Sequence, residues 1–264
     1  MANDLPQRPV PPLLDDACAL FLDVDGTLIE FARDPEAVVL LPDVREAIGR
    51  ISDRLDGAVA LVSGRPLSQL DRLFAPLHLP AAGLHGHEIR GLTGQTHAVT
   101  GNADPDTGQW LHDVHRQAMR WAHGHPGVLV EDKGRSLALH WRGAPDAAQE
   151  VQAFAAQHID AAAGYRLQPG DHVVEFVPEG SDKGRAIHQL MQQRPFRGRI
   201  PVFLGDDLTD EFGFKAANTL HGWSVLVGNR DPSDAVFALP HVRDVHRWLL
   251  ENAHCSSKRN LPHD

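Results

Sequence analysis

No apolar run in the 264 residues approaches the ~20 that a membrane helix needs, so no helical span is expected. Basic residues are too few and too scattered for nucleic acid. Lys and Arg number 25 against 35 acids, the formal net charge is −10, and no Lys/Arg-rich stretch supplies a phosphate-neutralising patch. Cysteine is nearly absent. Cys18 lies in an apolar run and Cys255 in a polar tail, a spacing that fits neither a disulfide framework nor a zinc site. The start, MANDLPQRPVPPLLDD, is polar and proline-rich and does not read as a signal peptide. Repeats and low-complexity tracts are also lacking. A reducing cytoplasm is the natural setting for such a globular chain; it is expected to be a monomer or weak homo-oligomer with a small-molecule partner.

Four short apolar runs are present, each ending in small or acidic residues: Ala17–Leu22, Ala58–Val62, Pro201–Leu204 and Ser224–Val227. Continuous rather than alternating hydrophobicity marks strands buried on both faces, as in a parallel sheet covered by helices. Helical patterns separate them at Asp43–Leu55, Leu67–Phe74, Lys183–Gln192 and Thr209–Ala217. The order predicts an α/β fold with a doubly wound, Rossmann-like parallel sheet. The middle reads differently. A helix is expected over Gln109–His123, a hairpin from Gly127–Glu131 and Ser136–Arg142, a helix over Ala144–Ala162 and a strand at Val173–Val177. This segment, 93–179, is expected to be an inserted α+β cap on a core of 1–92 and 180–264, hinged near Gly91–Gly94 and Pro178–Gly180.

The chemistry gathers at strand ends, where open α/β sheets bind ligands. Asp23 and Asp25, in DVDGT, are two apart in extended chain and project the same way. One carboxylate suits attack on phosphorus; the other suits protonating a leaving oxygen and then activating water. Gly26 lets the chain turn beneath them. Taken alone, this motif is equally an Asp-Gly turn with two solvated acids. Ser63-Gly64-Arg65 follows the second strand, and its hydroxyl and amides suit phosphoryl oxygens, although Ser63 also suits a helix N-cap. Lys183 opens a helix and offers a point charge. Asp206, Asp207, Asp210 and Glu211 crowd the tip of the third strand, where hard oxygens would suit Mg²⁺, or would cap the following helix.

In this order, DVDGT, SGR, DKG and GDDLTDE, the sequence resembles the haloacid dehalogenase-like phosphohydrolases from about Cys18 to Trp248. The resemblance implies Asp23 as nucleophile, Asp25 as general acid/base, and Ser63 and Lys183 as phosphate binders. It implies Mg²⁺ held by Asp23, the Asp25 carbonyl and Asp206, with Asp207 and Asp210 nearby. Gly83–Arg90 (GLHGHEIR), Glu131-Asp132-Lys133, Ser136–Arg142 (SLALHWR) and Val174-Glu175-Phe176 further resemble the trehalose-6-phosphate phosphatases. In that family a glutamate–lysine pair and a later cap glutamate bind sugar hydroxyls, which here implies Glu131, Lys133 and Glu175. Gly26, Thr27, Gly64, Arg65, His85 and Gly86 are expected to line the substrate site with them.

Spacing supports the sugar assignment, since Glu131 and Lys133 face one way on a strand edge while Asp132 faces the other. A surface Glu–Lys pair would look the same. Leu137, Leu139 and Trp141, opposite His140 and Arg142, are expected to form a half-buried cap strand rather than a binding stripe. His85-Gly86-His87 and His123-Gly124-His125 carry no cysteine and are not expected to bind zinc. Trp110 and Trp121 are expected in a helix core. Two alternatives stay open on sequence: a phosphatase of another sugar phosphate, of the sucrose or mannosyl-glycerate type, and a non-catalytic sugar-phosphate-responsive regulator.

Overall fold

The computed structural model describes residues 8–30, 38–91, 96–98, 105–159 and 164–255, and for 96–98 and 105–107 the backbone alone. In chain order the elements begin β1 (Cys18–Leu22), α1 (Pro42–Arg54), β2 (Val59–Val62), α2 (Leu67–Phe74), β3 (Ala81–Gly83), β4 (Glu88–Arg90) and β5 (Thr96–Ala98). Then come α3 (Pro105–Ala122), β6 (Leu129–Asp132), β7 (Leu137–His140), α4 (Ala148–His158), β8 (Tyr165–Gly170) and β9 (Val173–Pro178). The chain continues with α5 (Lys183–Met191), β10 (Ile200–Gly205), α6 (Glu211–Thr219), β11 (Trp223–Val227), β12 (Phe237–Leu239) and α7 (Val242–His254).

Eight strands form one sheet in the order β12-β11-β10-β1-β2-β3-β4-β5, parallel from β12 to β3 and antiparallel at β4 and β5. The four apolar runs are its central strands, and β1, β2 and β11 are almost wholly buried. Helix α1 buries the stripe Val44, Ala47, Ile48 and Ile51, each large side chain stabilising by roughly 1.5–3 kcal/mol. Because β1 lies between β2 and β10, the connections leave it in both directions. Its carboxyl end therefore opens on a crevice.

A second sheet, β6-β7-β9-β8, is antiparallel and has its own apolar cluster. Leu137, Leu139, Val174 and Phe176 pack on one face against Leu111, Val114, Ala118, Val151 and Phe154 of α3 and α4. Trp110 and Trp121 pack against this cluster, as expected of helix-core residues.

The elements depart from expectation in several places. Thr96–Ala98 pair with Glu88–Arg90 and extend the large sheet past residue 92, where the first core segment was expected to end. Gly94 and the expected helix end at 160–162 lie outside the described residues. The helix expected at Thr209–Ala217 divides into a 3₁₀ turn, Leu208–Asp210, and α6. Strands β3, β4, β5, β8 and β12 were not expected: four are only three residues long, and β8 contains Pro169 and Gly170. The expectations also omit α7, although Val242, Val245, Trp248 and Leu249 have a helical period. Among the described residues no helix is long and apolar enough to cross a membrane.

Candidate active site

Four chain segments meet at the carboxyl end of the large sheet. Asp23 directly follows β1 and is fixed there by its N–H, which donates to Leu204 O on β10 at 3.0 Å. Ser63 follows β2 and donates its N–H to Ala82 O. Asp206 follows β10, and Lys183 is the first residue of α5, whose N-cap Asp182 accepts from Arg185 N. Three buried parallel strands and the start of one helix thus bring four polar tips to the same end of the sheet.

Lys183 is almost wholly buried, and its ammonium donates to Asp23 Oδ1 (2.7 Å) and Asp210 Oδ1 (2.6 Å). Burial alone would discharge it, but Asp210 and Asp23 outweigh that and hold it firmly protonated. The Asp23 carboxyl is raised to about 7 on balance: burial raises it most, Lys183 pulls it down, and Asp210 pushes it up. Asp210 Oδ2 accepts from the N–H groups of Asp206 and Asp207, both at 3.0 Å. Both oxygens of Asp210 are therefore engaged in holding the loop and Lys183.

Oxygens of Asp23, Asp206 and Asp210 all lie within 4.8 Å of one another. Burial raises Asp206 well above the ordinary carboxylate range, with Asp23 and Asp210 adding repulsion. Converging hard oxygens under mutual repulsion fit a small divalent cation. Asp23 and Asp206 have the freer oxygens, and Asp210 supports them. Asp207 differs from the expected ligand set. Its carboxylate caps the 3₁₀ turn, accepting from Leu208 N at 2.6 Å, and it is not part of the trio.

Asp25 is half-buried, and both its oxygens are taken by Arg65. The Nε donates to Oδ2 at 2.7 Å and Nη2 to Oδ1 at 2.6 Å. Ser63 Oγ accepts from Arg65 N at 3.1 Å, which shapes the 63–65 loop. Gly26 has φ +79°, and a Cβ there would lie 2.2 Å from Asp206 Oδ2. Gly26 and Thr27 thus differ from expectation. Both are buried and support Asp206 from below, Thr27 donating to its Oδ1 at 3.4 Å. Gly86 also lies off the cleft; it lets the chain pass α5, where a Cβ would meet Ala186 and Asp182 O at 2.9 Å.

One cleft is lined both by Asp23, Asp25, Ser63, Gly64, Arg65 and Lys183 and by the polar face of the small sheet. Its cross-strand row reads Glu131, Ala138, Glu175, Gln168, so a single methyl lies between two carboxylates. Glu175 is buried, accepting from Ser136 Oγ (2.6 Å) and Lys133 Nζ (3.2 Å), with His85 Nε2 at 3.2 Å. Burial favours its neutral form, but Lys133, His85 and Ser136 outweigh this and hold it well below the ordinary glutamate value. Burial likewise opposes the charge on Glu131, and His140 (3.0 Å) and Lys133 overcome it. Lys133 also donates to Gly64 O at 3.3 Å, crossing from the small sheet to the phosphate-loop candidate.

Sequence reasoning missed His140, Arg142, Asp171 and Gln69, which also line the cleft. The signal was present: the apolar alternation of Leu137, Leu139 and Trp141 implies a polar face, and that face meets the cleft rather than solvent. His87 does not line it, and His125 bonds Glu150 and stacks on Trp121. No histidine belongs to a metal-ligating group among the described residues.

A sequence model of the trehalose-phosphatase family matches residues 21–242. The trehalose-6-phosphate phosphatase of Escherichia coli K12 is 40% identical over 240 residues, spanning 90% of this chain and 87% of that protein. The trehalose-phosphate phosphatase of Mycobacterium tuberculosis H37Rv is 32% identical over 232 residues, covering 84% of this chain and 57% of that longer protein. Among solved structures, the C-terminal domain of the Candida albicans trehalose-6-phosphate phosphatase superposes with a TM-score of 0.79 at 20% identity. That match covers 93% of this chain and 98% of the other, and it shows the shared fold. The chain belongs to the trehalose-phosphatase family.

Proposed function

We propose that this protein hydrolyses trehalose 6-phosphate to trehalose and inorganic phosphate, with Asp23 as nucleophile and Mg²⁺ as cofactor. The observation that carries the reading is the shared cleft, with Asp23 and Lys183 on one wall and Glu131, Lys133 and Glu175 on the other. Similarity to the E. coli enzyme along most of both chains supports the choice of sugar.

In this mechanism a carboxylate oxygen of Asp23 bonds to phosphorus as the bond to the sugar oxygen breaks. Asp25 gives its proton to that leaving oxygen. It then takes a proton from the water that attacks phosphorus, and the bond to Asp23 breaks. Because Arg65 occupies both Asp25 oxygens, Asp25 must turn off the guanidinium before it meets the sugar oxygen. Lys183 and the amides of the 63–65 loop neutralise the phosphoryl oxygens. Mg²⁺, held by Asp23, Asp206 and the Asp25 carbonyl, would supply further charge neutralisation at the phosphoryl group. The small sheet with α3 and α4 acts as the cap, presenting Glu131, Lys133 and Glu175 to sugar hydroxyls and excluding water from the attack.

Asp23→Asn is expected to abolish phosphate release; full turnover in that variant would remove the covalent mechanism. Glu131→Ala and Glu175→Ala are expected to cut kcat/KM for trehalose 6-phosphate by at least about 10-fold each. Unchanged hydrolysis in both would overturn the account of the sugar wall.

A further inference from the structure

His85 lies where the two walls of the cleft meet. Leu84 and His85 have φ of +48° and +55°, the left-handed region that is uncommon for residues with a β-carbon and costs backbone energy. Two strained residues in succession need something that holds them, and the 63–65 loop does so. Leu84 N donates to Arg65 O at 3.0 Å, and His85 N donates to Ser63 O at 2.9 Å. The ring of His85 then covers Gly64 so closely that a Cβ on that residue would sit 2.8 Å from Nε2. From the same position Nε2 reaches Glu175 Oε2 at 3.2 Å across the cleft.

The ring is not satisfied as a purely structural group would be. Nδ1 is buried and has no hydrogen-bond partner among the described residues, although a buried unpaired nitrogen is costly. Backbone strain and an unpaired nitrogen in one residue mark a position kept for function. A single residue thus joins the phosphate loop, through its backbone, to the cap glutamate, through its side chain.

We propose that His85 is a positioning residue that couples sugar recognition by Glu175 to the alignment of the Ser63-Gly64-Arg65 loop. This rests on the reading of the small sheet as the sugar wall. When sugar hydroxyls take up Glu175 and Lys133, the ring is drawn into one position, and the loop it covers is fixed for phosphoryl transfer. An ester without a sugar leaves Glu175 on its internal partners and gains nothing from His85.

The test compares the sugar phosphate that the wild type prefers, trehalose 6-phosphate on the reading above, with p-nitrophenyl phosphate. For His85→Ala, kcat on the sugar phosphate is expected to fall about 100-fold, the scale of a small misplacement of reacting groups. The loss on p-nitrophenyl phosphate is expected to be at least about 10-fold smaller, and KM for the sugar ester to change little. His85→Gln, which carries an amide N–H near the place of Nε2, is expected to recover most of the lost kcat. In a Glu175→Ala background, His85→Ala is expected to add less than about 3-fold, because the two act as a unit.

Equal losses on both substrates, or multiplying losses in the double variant, would show a merely structural role and overturn the proposal. Should His85→Ala fail to fold, His85→Gln and its double variant with Glu175→Ala carry the same comparison. A wild type inactive on trehalose 6-phosphate but active on another sugar ester would refute the substrate assignment alone, and the ratio is then read with that ester.

Discussion

The ammonium of Lys183 lies 2.7 Å from Asp23 Oδ1, a contact between groups 160 residues apart that joins the first strand to the helix after the small sheet. Both side chains are almost fully buried. The ion pair therefore acts with little screening by water, and Lys183 is as much a part of the core's electrostatic balance as of its chemistry.

Replacing Lys183 with Met leaves Asp23 and Asp210 buried without their cation. The expected outcome is a stability loss of about 3–5 kcal/mol, together with loss of phosphate release. Urea unfolding and a phosphate assay check the two halves separately. A variant as stable as wild type would show that the acids are compensated elsewhere.

Adding Mg²⁺ is expected to raise Tm, because Asp23 and Asp206 repel each other until a cation joins them. At 100 times its Kd the ion stabilises by about 2.7 kcal/mol, equivalent to roughly 5–10 °C for a chain of this size. EDTA should reverse the rise, and Asp206→Asn should abolish it. An undiminished rise in Asp206→Asn would place the cation elsewhere.

Glu175 gives the chain an acid-sensitive contact between its two sheets. Its carboxyl titrates below the ordinary 4.5 in the folded state. Its contribution to stability is therefore fully present above about pH 4.5 and is lost as pH falls toward the folded value. Unfolding free energy measured from pH 5 to pH 3 is expected to fall more steeply in wild type than in Glu175→Gln. The difference is at most about 1.4 kcal/mol per pH unit for this one group. Parallel slopes would mean that Glu175 is not held as an ion.

Gly26→Ala tests the turn beneath the two aspartates. Its φ of +79° disfavours a side chain, and the new methyl would lie 2.2 Å from Asp206 Oδ2. Turnover is expected to fall by about 100-fold or more as Asp206 is displaced. Strain in the left-handed region adds a stability loss of roughly 1–2 kcal/mol. Activity within a few fold of wild type would show that the loop yields without moving the acid.

The motif residues were legible because strand ends announce themselves. A buried run followed by Asp23, Ser63 or Asp206 gives both the element and the residue at its tip. Helix α2 was readable to the residue, since Leu67, Leu70 and Phe74 have a clean helical spacing. Strands β3 and β8 were not readable. Ala81-Ala82-Gly83 has no strand-forming side chain, and Pro169 and Gly170 oppose the pattern of β8. The cleft was legible only in part, for a different reason. Alternation shows that His140 and Arg142 share a polar face, but not that this face meets Asp25 and Arg65 instead of water. Likewise Thr27 and Gly86 sit inside matching motifs yet lie against Asp206 and α5 rather than along the cleft, a distinction that only three-dimensional neighbours reveal.

Phosphate release from trehalose 6-phosphate, glucose 6-phosphate and sucrose 6-phosphate, each with Mg²⁺ and with EDTA, tests the central claim most directly. The expected result is Mg²⁺-dependent release with a clear preference in kcat/KM for trehalose 6-phosphate. Preference for another ester would contradict the sugar assignment while keeping Asp23 as nucleophile, and no release from any of the three would contradict the phosphatase itself.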